Sequence, residues 1–206
     1  MRVNNNYEPF DHLIVDDFLQ PSEFNLVFAE VLILQTAMAG PSETGSSKDI
    51  IDGETFFRKS NVGIFLDSVY ADRKYSNILK SFYKVFTDEF ISKIDNKNWL
   101  YKKYLPQTNL DYTLLQSYGD GGYYKSHADE GLITAVTVLH KTPKEYSGGQ
   151  LMFSEYDNYT IDLKNNQMIM FPAAITHEVL EVKRTNNNFD GNRFTVTKLI
   201  SYNVSR

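Results

Sequence analysis

The sequence contains four histidines, and two of them stand where a metal site could be built. His127-Ala-Asp129 follows a run rich in Gly and Tyr, and His177 follows Phe171-Pro172-Ala-Ala-Ile-Thr at the end of an apolar segment. In extended backbone residues i and i+2 share a face, so His127 and Asp129 can address one metal ion, with His177 as a third ligand from a distant strand. Two imidazoles and a carboxylate on one side of an ion leave the opposite coordination positions open, the arrangement with which non-haem Fe(II) activates oxygen. Zinc accepts the same donors and is the chemical alternative. His140, at the end of an alternating strand, reads as a residue beside the site or on the surface, and His12 as scaffold.

Such residues need a rigid frame. Residues 12–17 read as a short strand, and Gln20-Pro21-Ser22-Glu23 starts a helix, with Pro in its first turn and an acid near the positive end of the dipole. Phe24, Val27, Phe28, Val31 and Leu32 recur at helical spacing and face a larger partner, expected to be a sheet. Gly40 to Gly53 has the small, polar composition of a surface loop, either a connector or a flap over substrate. The spacing of Ile78, Leu79, Phe82, Val85, Phe86 and Ile91 predicts a second helix from about Tyr75 to Ile94. From Leu110 onward seven β-rich runs follow: Thr113–Tyr118, Leu132–Leu139, Gly149–Phe153, Asn158–Leu163, Gln167–Phe171, Glu178–Val182 and Phe194–Tyr202. Helices first and strands later argue for a sandwich, barrel or jelly roll.

Composition narrows the chemistry. The chain has 206 residues, 14 Phe and 14 Tyr, enough to bury an aromatic core in one domain. With no cysteine, thiolate zinc sites, iron–sulfur clusters, disulfides and cysteine nucleophiles are all removed. Lys and Arg number 21 against 26 Asp and Glu, a formal charge of −5, which argues against a nucleic-acid partner. The amino terminus has no apolar signal-like run, and Val31 to Leu34 falls far short of the roughly 18 residues of a membrane span, so a cytoplasmic location without membrane contact is expected.

The run Tyr118-Gly-Asp-Gly-Gly-Tyr-Tyr124-Lys-Ser-His127-Ala-Asp129 resembles the signature of the prolyl 4-hydroxylase-like, 2-oxoglutarate/Fe(II)-dependent dioxygenases. Further similar segments occur in order: Ile14-Val-Asp-Asp-Phe-Leu with Pro21 and Glu23, Arg58-Lys-Ser60 through Phe65-Leu66, Gly148-Gly149-Gln-Leu151, Met170-Phe171-Pro172, His177-Glu-Val179 and Gly191-Asn-Arg193-Phe-Thr195.

The resemblance implies a mainly β protein, a double-stranded β-helix (jelly roll) core over 111–206 with supporting helices and strands over 1–110, packed on the major sheet. It implies one dioxygenase domain over 1–206. Metal ligands would be His127, Asp129 and His177. The distal carboxylate of 2-oxoglutarate would otherwise be buried without a partner, which points to Arg193, with Tyr118 and Thr195 adding hydrogen bonds. Arg193 lies further beyond His177 than the family spacing, which predicts an enlarged hairpin loop over 183–192 and leaves Lys183 and Arg184 as runners-up. Leu151 stands where relatives often carry Thr, and a hydrophobic wall to the pocket is the expected substitute. Arg58 and Tyr124 are the candidate substrate contacts. Expected cofactors are Fe(II), 2-oxoglutarate and O2, with ascorbate as a further expectation, and the leading substrate is a peptide or protein proline, hydroxylated with release of succinate and CO2. Hydroxylation of another amino acid or a small metabolite is the alternative, and an inactive binding module of the same fold is the alternative outside catalysis. Nucleic-acid dealkylation is disfavoured, because the run after Arg193 lacks the Asn and second Arg of the AlkB-like pattern.

Overall fold

The computed structural model describes residues 1–45 and 48–203. In chain order it begins with β1 (Arg2–Asn6), β2 (His12–Asp16) and α1 (Pro21–Ile33). Four short strands follow, β3 (Lys48–Ile51), β4 (Glu54–Phe57), β5 (Lys59–Ser60) and β6 (Val62–Phe65), then α2 (Leu66–Val69), α3 (Asn77–Phe82) and α4 (Asp88–Ser92). Strands then dominate: β7 (Leu110–Tyr118), β8 (Tyr123–His127), β9 (Ile133–Leu139), β10 (Tyr146–Gly148) and β11 (Leu151–Phe153). Last come β12 (Tyr159–Ile161), β13 (Gln167–Pro172), β14 (His177–Val179), β15 (Val182–Arg184) and β16 (Arg193–Ser201).

Two antiparallel sheets form a double-stranded β-helix. The larger has seven strands in the order β1-β2-β13-β9-β16-β7-β6, and the smaller five in the order β12-β11-β14-β8-β5. Period-2 alternation gives each long strand two buried faces. Ile133, Ala135 and Leu139 of β9, Met168 and Met170 of β13, and Phe194, Val196 and Ile200 of β16 pack outward against α1, α3 and α4. The intervening Val136, Val138, Ile169, Phe171 and Tyr118 point inward and share a second core with Leu151, Phe153 and Val179 of the smaller sheet. Because both faces are covered, these strands read as nearly continuous apolar runs.

The α1 expectation holds in detail: Val27 and Val31 are buried, and Phe24, Phe28 and Leu32 pack beside them on the large sheet. The single helix expected over 75–94 is corrected. Ser76 caps α3, a 3-10 turn spans Tyr83–Phe86, and Thr87 leaves helical geometry to accept a hydrogen bond from the Phe90 N–H and start α4. The apolar stripe remains continuous in space although the helix does not. The order of helices first is corrected too, since β1 to β6 precede α2. Within the 40–53 loop, β3 forms a hairpin with β4, while Ser46 and Ser47 lie outside the described residues. The run expected as one strand over 178–182 splits between β14, in the smaller sheet, and β15, which pairs with β10. Among the described residues no helix is long and apolar enough to cross a membrane.

Candidate active site

The last residue of β8 and the first of β14 are direct cross-strand partners, His127 opposite His177. Just beyond β8 the Asp129 N–H donates to the Ala173 carbonyl at 3.0 Å, which turns its carboxylate back toward both rings. The His127 Nε2 lies 3.7 Å from one Asp129 oxygen and the His177 Nε2 3.5 Å from the other. One ligand atom from each of the three residues falls within a common 4.8 Å, a spread that could hold a metal ion.

The protein orients these ligands itself. His127 Nδ1 is 2.8 Å from the Lys125 carbonyl and His177 Nδ1 is 2.9 Å from the Ile175 carbonyl, so each Nδ1–H donates to backbone and leaves Nε2 as the free lone pair. Thr134 on β9 donates to Asp129 Oδ2 at 2.7 Å. Burial, and next the neighbouring His177, hold the His127 imidazole below its usual range, keeping it neutral as a metal ligand must be.

The triad opens into a cavity of about 450 Å³. Its walls combine inward-facing positions of the large sheet, Leu114, Gln116 and Tyr118 of β7, Val136 of β9 and Thr195, Thr197 and Leu199 of β16, with Leu151 and Val179 across the gap. The expected apolar wall at Leu151 is therefore present. Thr195 donates to the Gln116 side-chain Oε1 at 3.3 Å.

Arg193 begins β16 on the face that carries Thr195 and Thr197, opposite Tyr118 in register, and is not itself among the residues that line the cavity. Its side chain is 2% exposed, its guanidinium carbon lies 5.3 Å from the Tyr118 ring centroid, and Nη1 has no hydrogen-bond partner. Among the described residues no carboxylate lies within ion-pair distance of it. Burial presses the guanidinium down from its usual value, and burial pushes the Tyr118 hydroxyl up to about 12 against the opposing pull of Arg193. A buried cation without a counter-ion is costly unless an anion arrives. Arg184 instead binds Asn186, Asn188 and Asn192 within the 183–192 loop, and Lys183 is exposed.

Tyr124 stacks on His127 with ring centroids 3.5 Å apart and lines the cavity. Arg58 does not. Its guanidinium forms a fork with Asp49 of the β3–β4 hairpin and reaches the Ser126 carbonyl at 3.4 Å, outside the cavity wall. The next residue, Lys59, points inward instead, 3% exposed, among the cavity-lining groups. Sequence reasoning passed over Lys59 and Thr134. The alternation of Arg58, Lys59 and Ser60 about one strand was the available signal for the first, and β9 periodicity for the second. His140 donates from Nδ1 to the Lys141 carbonyl and packs edge-on to Tyr146, apart from the triad, and His12 is buried against Phe10.

Residues 113–201 match the family model described as the 2OG-Fe(II) oxygenase superfamily. An uncharacterized PKHD-type hydroxylase of Synechocystis sp. is 34% identical over 100 residues, covering 40% of this chain. The match spans only about a third of that relative's length. Among solved structures, a Pseudomonas putida prolyl-4-hydroxylase superposes with a TM-score of 0.59 at 16% identity over 93% of this chain and 92% of its own. A Trichoplax adhaerens prolyl hydroxylase in complex with a hypoxia inducible factor oxygen degradation domain peptide fragment gives 0.59 at 17% identity, over 92% and 83%. At such identities the structural likeness establishes the fold. The family match covers the segment that carries His127, Asp129, His177 and Arg193, and over residues 113–201 the chain is similar to the 2OG-Fe(II) oxygenase superfamily.

Proposed function

We propose that residues 1–206 work as one Fe(II)- and 2-oxoglutarate-dependent dioxygenase domain that hydroxylates peptidyl proline. The observation that carries this reading is the pairing of a two-His, one-carboxylate cluster with Arg193, an orphaned buried cation on the same inward face of the large sheet. A dicarboxylate cosubstrate, with one end at the metal, gives that cation a counter-ion for its other end. When bound, iron and 2-oxoglutarate together supply the oxidising power to hydroxylate an unactivated C–H bond with O2, releasing succinate and CO2.

The chain's own residues hold and shape. His127 and His177 offer Nε2, and Asp129 adds the negative charge that favours a divalent ion. Arg193 takes the distal carboxylate of 2-oxoglutarate, with Tyr118, kept protonated by its burial, and Thr195 as hydrogen-bond donors. Leu114, Val136, Leu151 and Val179 exclude water from the reacting region. Tyr124 presents its ring to substrate beside His127.

Support for a peptide comes from a second cavity of about 700 Å³ that shares Phe65, Glu130 and Leu199 with the first, enough for residues flanking the reacting one. Support for proline comes from the resemblance of Arg58-Lys-Ser60 and the Tyr118–Asp129 run to the prolyl 4-hydroxylase branch. The same reading expects ascorbate to sustain turnover and a cytoplasmic setting.

The test is thermal stability without oxygen, with Mn(II) standing in for iron, 2-oxoglutarate, and both. Ligand at about 100 times its dissociation constant adds about 2.7 kcal/mol. That corresponds to a Tm shift of about 5–10 °C for a chain of this size. A shift with both that exceeds the sum of each alone supports the site, and no shift overturns it in favour of a binding module. Oxygen incorporation into proline peptides, and none into free amino acids or metabolites, is the result expected for substrate.

A further inference from the structure

Lys59 is the cavity residue for which the metal and cosubstrate have no use. Its ammonium donates to the Thr44 carbonyl at 3.1 Å and lies 5.3 Å from the Tyr124 ring centroid. Among the described residues no carboxylate comes within ion-pair distance of it, and of those lining the cavity it alone carries a fixed positive charge. The adjoining cavity is lined by Glu43, Asp67 and Glu130, with no cation among its described walls. Arg58, the neighbouring cation, is occupied by Asp49.

Charge accounting leaves Lys59 over. In the oxygenase reading, 2-oxoglutarate presents one carboxylate to the metal and the other to Arg193. Asp129 supplies one negative charge to a divalent ion, so metal, cosubstrate, Asp129 and Arg193 balance among themselves, and Lys59 stands beyond that balance, with Glu130, on the wall shared with the adjoining cavity, as the remaining carboxylate of the lining. An ammonium holds three N–H donors, and one is spent on Thr44. The other two face a cavity whose remaining polar lining is neutral or acidic.

We propose that Lys59 is the receptor for a carboxylate carried by the substrate beside the carbon that is hydroxylated. This rests on the oxygenase reading and narrows its substrate class: an acidic side chain neighbouring the target residue, or the free carboxylate of an amino acid or chain terminus. Glu43 and Glu130 on the adjoining walls disfavour an anion there relative to the seat at Lys59, Asp67 being paired with Arg73. Burial lowers the Lys59 ammonium to about 8, against the opposing pull of Asp129, which still leaves it mostly charged at neutral pH and poorly solvated, the state in which an ion pair gains most.

The experiment measures binding to the Mn(II)- and 2-oxoglutarate-loaded protein by calorimetry without oxygen, using matched carboxylate and carboxamide probes. The pairs are an acetylated Pro-Glu amide against its Pro-Gln counterpart, L-proline against L-prolinamide, and propionate against propionamide. At least one pair is expected to favour the carboxylate tenfold or more, and Lys59→Met to reduce that ratio to near one while keeping the thermal shift with Mn(II) and 2-oxoglutarate. Preference in the dipeptide pair alone assigns an acidic side chain, and preference in the proline pair a free terminus. Equal binding within every pair, absence of all binding, or an unchanged preference in Lys59→Met overturns the proposal and leaves the oxygenase reading standing. Loss of the Mn(II) and 2-oxoglutarate shift in Lys59→Met, with Lys59→Gln behaving alike, also overturns it, because Lys59 then serves the cosubstrate. Absence of that shift in the unaltered protein sinks the oxygenase reading itself.

Discussion

Gly149 makes room for Arg193. A Cβ on Gly149 would stand 2.5 Å from Arg193 Cδ and 2.8 Å from its Nε, and Gly149 holds φ at +72°, in left-handed backbone. Left-handed geometry alone costs an alanine roughly 1–2 kcal/mol. Gly149→Ala is therefore expected to displace the guanidinium and remove the additional thermal shift from 2-oxoglutarate, while the shift with Mn(II) alone persists. A full 2-oxoglutarate response in the variant would show that Arg193 is not where the cosubstrate ends.

Arg193→Met should separate function from stability. The guanidinium is buried without a carboxylate and with Nη1 unpartnered, so a methionine of similar length relieves a desolvation cost. The variant is expected to melt at a higher temperature than the parent when both are ligand-free, and to lose its 2-oxoglutarate response. Differential scanning calorimetry reads both quantities.

Thr134→Val tests the support behind the metal ligands. Its hydroxyl donates to Asp129 Oδ2, and loss of such a hydrogen bond typically weakens metal affinity about 10–100-fold. Mn(II) titration followed by electron paramagnetic resonance gives the number. Unchanged affinity would mean that the Asp129 N–H bond to Ala173 is enough to fix the carboxylate.

Lys59 carries a pH signature. Burial lowers its folded value to about 8 from an ordinary 10.5, so between these values the unfolded chain binds more protons and stability rises with pH. Lys59→Met should abolish that rise and be the more stable protein near pH 7, by up to roughly 3 kcal/mol. Urea unfolding at pH 7, 8.5 and 10 in the parent and the variant is decisive, and a parallel pH dependence in both would refute the assignment.

On the opposite face of the large sheet, Lys198 is fully buried and bonded to Asp111, which also receives Arg73. Asp111→Leu strands that ammonium in the helix-facing core and should cost about 3–5 kcal/mol. Adding Lys198→Met should recover most of the loss in chemical denaturation, since the uncompensated charge is then gone.

Much of the frame was legible because local chemistry and global packing agree. Pro21 and Glu23 announce α1, and the strand alternation that set Arg193 and Thr195 on one face of β16 is the alternation that places them there. The metal cluster was readable from spacing because the two histidines sit at strand ends that pair with each other and Asp129 follows His127 by two residues. What escaped was tertiary. β1 is Arg-Val-Asn-Asn-Asn, a poor strand by propensity, and exists because the edge of β2 pairs with it along its whole length. The break at Thr87 follows from a capping hydroxyl outcompeting helix continuation inside an unbroken apolar stripe. Arg58 stood out through the resemblance of Arg58-Lys-Ser60, but neighbouring residues of an extended segment face opposite ways, and Lys59 is the one that lines the cavity.

Both metal-facing imidazoles are anchored to carbonyls two positions earlier, one at Lys125 within β8 and one at Ile175 in the bend before β14. The backbone at Lys125 and Ile175 does this work whatever side chains those positions bear. The ring orientation is thus inherited from backbone geometry rather than from any neighbour's identity, and the exposed position 125 is free to drift in evolution or be recruited for substrate recognition without loosening the grip on the ion, while Ile175 is held by the core it helps to fill.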